Sequence, residues 1–149
     1  MKKILFIEDE GELADKIKER LYNYSIEEVY SYATAIGAWH KYQGCFNCII
    51  LDLNIPADMN DEVLKKEYHG IHGILLLKEF CEHKTPEEQE KIWQKTVIYS
   101  AFTDKLDGKE IIRNAPHKPK IIPKENPVSI FELKKAVEEI INQKFDNEQ

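Results

Sequence analysis

The run Cys48-Ile49-Ile50-Leu51-Asp52-Leu53-Asn54-Ile55-Pro56 decides the fold. Four apolar residues without polar alternation read as a strand buried on both faces, which is the pattern of a parallel sheet covered by helices. The carboxylate of Asp52 falls at the carboxyl end of that strand, and Asn54, Pro56, Asp58, Asn60 and Asp61 continue it as a loop. Toward the amino terminus, residues 2–7 form a second apolar strand, which ends in Glu8-Asp9-Glu10 and Gly11. Leu13, Ile17, Leu21 and Tyr24 then recur at helical spacing. Residues 25–31 read as a strand whose Glu27 and Glu28 fit an edge position, and residues 33–42 as a helix.

Toward the carboxyl terminus, residues 73–80 form a helix, and Thr85-Pro86-Glu87-Glu88 caps a short extra one. Residues 96–100 form a fourth strand ending in Ser100, and a short helix passes through Ile111 and Ile112. Prolines at 116, 119, 123 and 127 leave room for only a short fifth strand at 120–122. An amphipathic helix occupies 129–145, and a frayed tail begins at about 146. The order predicts one α/β domain over residues 1–149: a doubly wound, five-stranded parallel sheet of flavodoxin-like order 2-1-3-4-5, helices on both faces.

The 149 residues carry a formal net charge of −6, from 21 Lys and Arg against 27 Asp and Glu. That balance argues against direct nucleic-acid binding. The tract with His117, Lys118 and Lys120 is basic but short and proline-broken. No apolar stretch approaches the roughly 20 residues of a membrane span. An odd number of cysteines behind no secretory leader implies a reduced, cytoplasmic protein. Cys45 and Cys48 have CxxC spacing without a second pair, so burial of Cys48 in the third strand is the expected role. His69, His72 and His83 lack the spacing of a zinc motif and are expected in solvent, and Trp39 and Trp93 are expected in the core. Gly70-Ile71-His72-Gly73 lacks the spacing and the lysine of a nucleotide-binding loop.

Ligand sites of such sheets lie at the carboxyl ends of the strands. With the first and third strands adjacent, Glu8, Asp9 and Asp52 converge there and repel one another unless a proton or a hard cation such as Mg²⁺ intervenes. Ser100 and Lys124 reach the same rim, so metal, hydroxyl and ammonium together suit a phosphoryl group, with Asp52 as nucleophile. The bland alternative is that acidic residues merely populate loop entrances.

The segments Ile4-Leu5-Phe6-Ile7-Glu8-Asp9-Glu10, Ile49 to Pro56, Val97-Ile98-Tyr99-Ser100-Ala101, and Lys124 ahead of Phe131-Glu132-Leu133 resemble, in order, the receiver domain of two-component response regulators, of single-domain type. The resemblance implies that Glu8 and Asp9 are the acidic pair, Asp52 the phosphorylated residue, Asn54 a backbone-carbonyl ligand of Mg²⁺, Ser100 the switch hydroxyl and Lys124 the phosphoryl counter-ion. It further implies a sensor histidine kinase or histidine phosphotransfer protein as donor, and a downstream protein that reads the surface made by the helix through Ile111 and Ile112, the last strand and the last helix. A second copy of the chain is a further candidate partner. Catalysis extends at most to the protein's own phosphorylation and dephosphorylation, and no residues remain for an output domain.

The chain departs from the family at four places. Glu8 replaces the commoner aspartate. Ile121 stands where many receivers carry a rotating aromatic. Phe102 is bulky at a position that tunes access of the hydrolytic water. The family's glycine after Pro56 is best matched by Gly73, so residues 58–72 contain an insertion, either a partner-specific surface or a tolerated loop. Two other functions stay open: a receiver-like interaction module that is never phosphorylated, and a Mg²⁺-dependent small-molecule phosphohydrolase. The second is disfavoured because Asn54, not a carboxylate, lies two residues after Asp52.

Overall fold

The computed structural model describes residues 1–124 and 128–143. Five strands, β1 (Lys3–Ile7), β2 (Ser25–Val29), β3 (Cys48–Leu51), β4 (Thr96–Ser100) and β5 (Lys120–Pro123), form one sheet. Its order is β2-β1-β3-β4-β5 and every pairing is parallel. Seven α-helices among the described residues connect and cover it: α1 (Gly11–Arg20), α2 (Tyr32–Lys41), α3 (Glu62–Glu67), α4 (Leu75–Phe80), α5 (Pro86–Gln94), α6 (Glu110–Arg113) and α7 (Val128–Asn142). Among the described residues, no helix is long and apolar enough to cross a membrane.

Alternation along each strand divides the core into two layers. Leu5, Ile7, Ile49, Leu51 and Ile98 face a cluster completed by α2, α4 and α5, which contains Trp39, Phe80 and Trp93. Ile4, Phe6, Cys48, Ile50, Val97 and Tyr99 face the other side, closed by Ala14 and Ile17 of α1 and by Leu133, Ala136 and Val137 of α7. Both clusters need the central strands, which explains why the unbroken apolar run at 48–51 is diagnostic. β2 is only half-buried apart from Val29, as Glu27 and Glu28 require at an edge.

Local chemistry sets the helix starts. Ser31 and Thr34 form a reciprocal capping box at α2, and Thr85 and Glu88 form another at α5, where Pro86 takes the first turn. The expected helix 129–145 is seen from Val128 to Asn142; Phe145 and the expected frayed tail from 146 lie outside the described residues.

Two sequence expectations change. Residues 57–72 are not simply a polar loop, because Asp61 caps α3 through a 3.1 Å hydrogen bond from Leu64 N, and Tyr68 and Ile71 are buried in the first cluster. His72 is 6% exposed, not solvated. It follows Ile71 into the core, and burial pushes its imidazole below the ordinary value.

Candidate functional site at the carboxyl rim of the sheet

β1 and β3 run in register with Ile7 opposite Leu51, so Glu8 and Asp52 leave the sheet side by side. Backbone bonds continue the ladder one step further: Glu8 N donates to Val29 O at 2.9 Å, Asp52 N to Ile7 O at 3.0 Å and Lys124 N to Ser100 O at 2.9 Å. These bonds fix the ends of all five strands at one rim. Asp52 Oδ1 also accepts the Asn54 N–H at 3.2 Å, a local turn that orients the carboxylate.

Glu8 and Asp52 are 2% and 5% exposed, Ser100 is fully buried, and Asp9 and Asn54 face solvent. Lys124 Nζ lies 2.7 Å from Glu8 Oε1 and 3.0 Å from Asp52 Oδ2, one ammonium shared by two buried carboxylates. Burial, and then the charge of Asp52, push Glu8 up to about 7, with Lys124 opposing. For Lys124, burial works against the ammonium, but the charges of Asp52 and Glu8 outweigh it and hold the group above its ordinary value.

Oxygens of Glu8, Asp9 and Asp52 all lie within 4.8 Å of one another. Three hard carboxylate donors, one of them on the solvent side, form a donor set suited to Mg²⁺ rather than to a soft-ligand metal.

Ser100 Oγ accepts the Phe102 N–H at 3.4 Å. Phe102 is half-buried, and Lys105 Nζ lies 4.9 Å from its ring centroid. Ile121 is not at the rim: it pairs with Ile98 inside the sheet and packs on the first cluster. The remaining sequence candidates behave as structural residues. Cys48, Trp39 and Trp93 are buried, and Tyr99 is buried with its hydroxyl 2.8 Å from Ser129 Oγ. Sequence reasoning missed that the segment 57–72 contacts the site's surroundings; Leu64, Tyr68 and Ile71, spaced four and three apart behind the cap Asp61, were the available signal.

The titration of Glu8 gives a measurable consequence. An unfolded glutamate releases its proton near 4.5, whereas folded Glu8 keeps it to about 7. Over that interval the native state binds more protons, so the contribution is present below the lower value and is lost as pH rises through the upper one. In chelator, unfolding free energy is expected to fall between pH 5 and pH 8, by no more than about 1.4 kcal/mol per pH unit for the one proton. Urea titrations of parent and Glu8→Gln check this; the variant should show the flatter profile.

No family model matches the chain, and no curated protein matches it. Solved structures do. A response regulator receiver domain protein from Clostridium thermocellum superposes with a TM-score of 0.63 at 17% identity, covering 95% of each chain. The response regulator TrrA from Thermotoga maritima, in complex with Mg²⁺ and BeF, gives 0.63 at 20% identity, covering 94% of this chain and 99% of that one. The chemotaxis response regulator CheY4 of Vibrio cholerae gives 0.62 at 19% identity, over 92% and 98%. These matches span nearly the whole chain, and the fold, a parallel sheet in the order 2-1-3-4-5 covered by helices, is that of response regulator receiver domains.

Proposed function

We propose that the protein is a phosphoacceptor response regulator, one domain with an insertion at 58–72, acting in the cytoplasm on a signal from a histidine kinase or a histidine phosphotransfer protein. The observation that carries this reading is the single ammonium of Lys124 held between the buried carboxylates of Asp52 and Glu8, at the end of the strand that carries Asp52.

An Asp52 carboxylate oxygen attacks the phosphorus of a phosphohistidine. The new O–P bond forms as the N–P bond breaks, and the imidazole nitrogen leaves with the electron pair. Lys124 neutralises charge on the transferring oxygens and on Asp52 itself. Mg²⁺, held by Glu8, Asp9, Asp52 and the Asn54 carbonyl, would supply further charge neutralisation at the phosphoryl group. Water later attacks the aspartyl phosphate and releases inorganic phosphate, with Phe102 beside the approach.

Ser100 supplies the signal. Its hydroxyl now accepts the Phe102 N–H; a phosphoryl oxygen on Asp52 offers it an acceptor instead, and turning to donate there draws on the loop that starts at Phe102. A downstream protein or a second copy of the chain then meets an altered surface. Ile121 does not supply the aromatic rotation that many receivers use.

The test is incubation with a small acyl phosphate and Mg²⁺, followed by intact-mass measurement. One phosphoryl addition is expected in the parent and none in Asp52→Asn. Equal labelling of the two proteins, or no labelling of the parent, refutes the assignment.

A further inference from the structure

Segment 58–72 is tied down on both sides of the site. At its start, Asp58 Oδ1 accepts the Ala33 N–H of α2 at 2.7 Å, and the preceding Pro56 O accepts the Tyr32 N–H at 3.1 Å. At its far side it docks on the loop that follows β4. Lys109 Nζ donates to Glu67 O, the last residue of α3, at 3.3 Å, and lies 5.3 Å from the Tyr68 ring centroid. A cation there meets both the free carbonyls at a helix end and an aromatic face.

A second contact lies beside it. A Cβ built on Gly70 would fall 2.9 Å from Lys105 Nζ, so that ammonium already rests against the Gly70 backbone. Lys105 also covers Phe102, the residue whose N–H is bonded to Ser100. Beneath these contacts, Tyr68 and Ile71 share one buried cluster with Leu106 of the same loop and with Leu53 and Ile55, which flank Asn54.

We propose that segment 58–72 is a clamp that holds the loop after β4 in its unphosphorylated position, with Lys109 on Glu67 and Tyr68 as its catch. The proposal rests on the phosphoacceptor reading of Asp52 and names what regulates that site. Movement of the Ser100–Phe102 link strains the catch, because Lys105, Leu106 and Lys109 are carried on one short stretch whose partners belong to 67–71. The clamp therefore opposes occupation of Asp52 by a phosphoryl group, and the apparent affinity for such a group is reduced by the fraction of molecules with the catch open. Lys109 is a positioning residue: it acts through the loop and is not assigned a contact with the phosphoryl group.

Beryllium fluoride with Mg²⁺ serves as the phosphoryl mimic, titrated calorimetrically, with hydrogen exchange followed at residues 62–71. Exchange in that segment is expected to rise when the mimic binds the parent. Lys109→Met is expected to bind it about 5-fold more tightly and to show the faster exchange before the mimic is added, while Lys109→Arg, which keeps the cation, stays near the parent. Unchanged affinity in Lys109→Met, or exchange at 62–71 indifferent to the mimic, overturns the clamp alone. Absence of mimic binding by the parent overturns the phosphoacceptor reading and the clamp with it.

Discussion

Lys124→Met is expected to slow phosphoryl transfer to Asp52 by about 10²–10³-fold, the usual cost of deleting one preorganised charge-stabilising group. Its ammonium is within 3.0 Å of the nucleophile and its side chain is 16% exposed, so water does not readily replace it. Stability should fall as well. The substitution leaves Glu8 and Asp52 buried beside each other without their cation, and breaking such a buried pair costs about 3 kcal/mol. A proton on Glu8 relieves part of that repulsion, so the deficit should be larger at pH 8 than at pH 5. Single-turnover labelling with a small phosphodonor reads the first effect, and urea denaturation in chelator at the two pH values reads the second. A variant that transfers at the parental rate contradicts the role given to Lys124.

Gly73→Ala is expected to destabilise the protein by about 3 kcal/mol, the upper end of overpacking costs, and to impair phosphorylation together with folding. A Cβ at Gly73 would lie 2.6 Å from Asp52 O, 2.8 Å from Leu53 O and 3.1 Å from Leu53 Cα, all of them backbone atoms that cannot rotate aside. Gly73 N also donates to Leu53 O at 2.9 Å. Relief requires moving the stretch that carries Asp52 and Asn54. The contrasting substitution is Gly37→Ala, within α2, where nothing lies within 4 Å of the added carbon. There alanine should stabilise by about 0.5–1 kcal/mol through helix propensity alone. Urea denaturation of the pair separates a steric role for Gly73 from a generic glycine effect.

The sheet was legible because burial on both faces leaves little choice of residue: Ile4 to Ile7, Cys48 to Leu51 and Val97 to Tyr99 are apolar without interruption. The rim followed from topology, since parallel strands in the order 2-1-3-4-5 bring Glu8, Asp52, Ser100 and Lys124 to one end. The cap at Thr85 read equally well, being a local hydrogen bond between residues three apart; the capping box at Ser31 did not, because 25–31 reads as one strand whereas β2 ends at Val29 and Ser31 already caps α2.

Segment 57–72 was less legible. Its helix α3 has only six residues and no fully buried side chain of its own, and the apolar spacing of Leu64, Tyr68 and Ile71 runs past its end, so the stripe is short and weak. What anchors it is distant in sequence: Lys105 and Lys109 from beyond β4, and Ala33 from α2. His72 was misjudged because its own polarity was weighed above its setting: Ile71, Gly73 and Ile74 turn inward around it and carry it into the core. Nor does spacing reveal that Lys124 bridges two carboxylates; that depends on the register of β1, β3 and β5.

The central claim is that Asp52 carries the phosphoryl group. The direct measurement is borohydride reduction of protein treated with a small acyl phosphate and Mg²⁺, followed by peptide mass spectrometry. An acyl phosphate is reduced at its carbonyl carbon with loss of phosphate, which converts a phosphorylated aspartate to homoserine, whereas phosphate esters and free carboxylates are untouched. The account predicts homoserine at position 52 and nowhere else, dependent on the phosphodonor and on Mg²⁺. Stable phosphate recovered on Ser100 or another hydroxyl, or homoserine at Glu8's neighbour Asp9 with Asp52 intact, would contradict it.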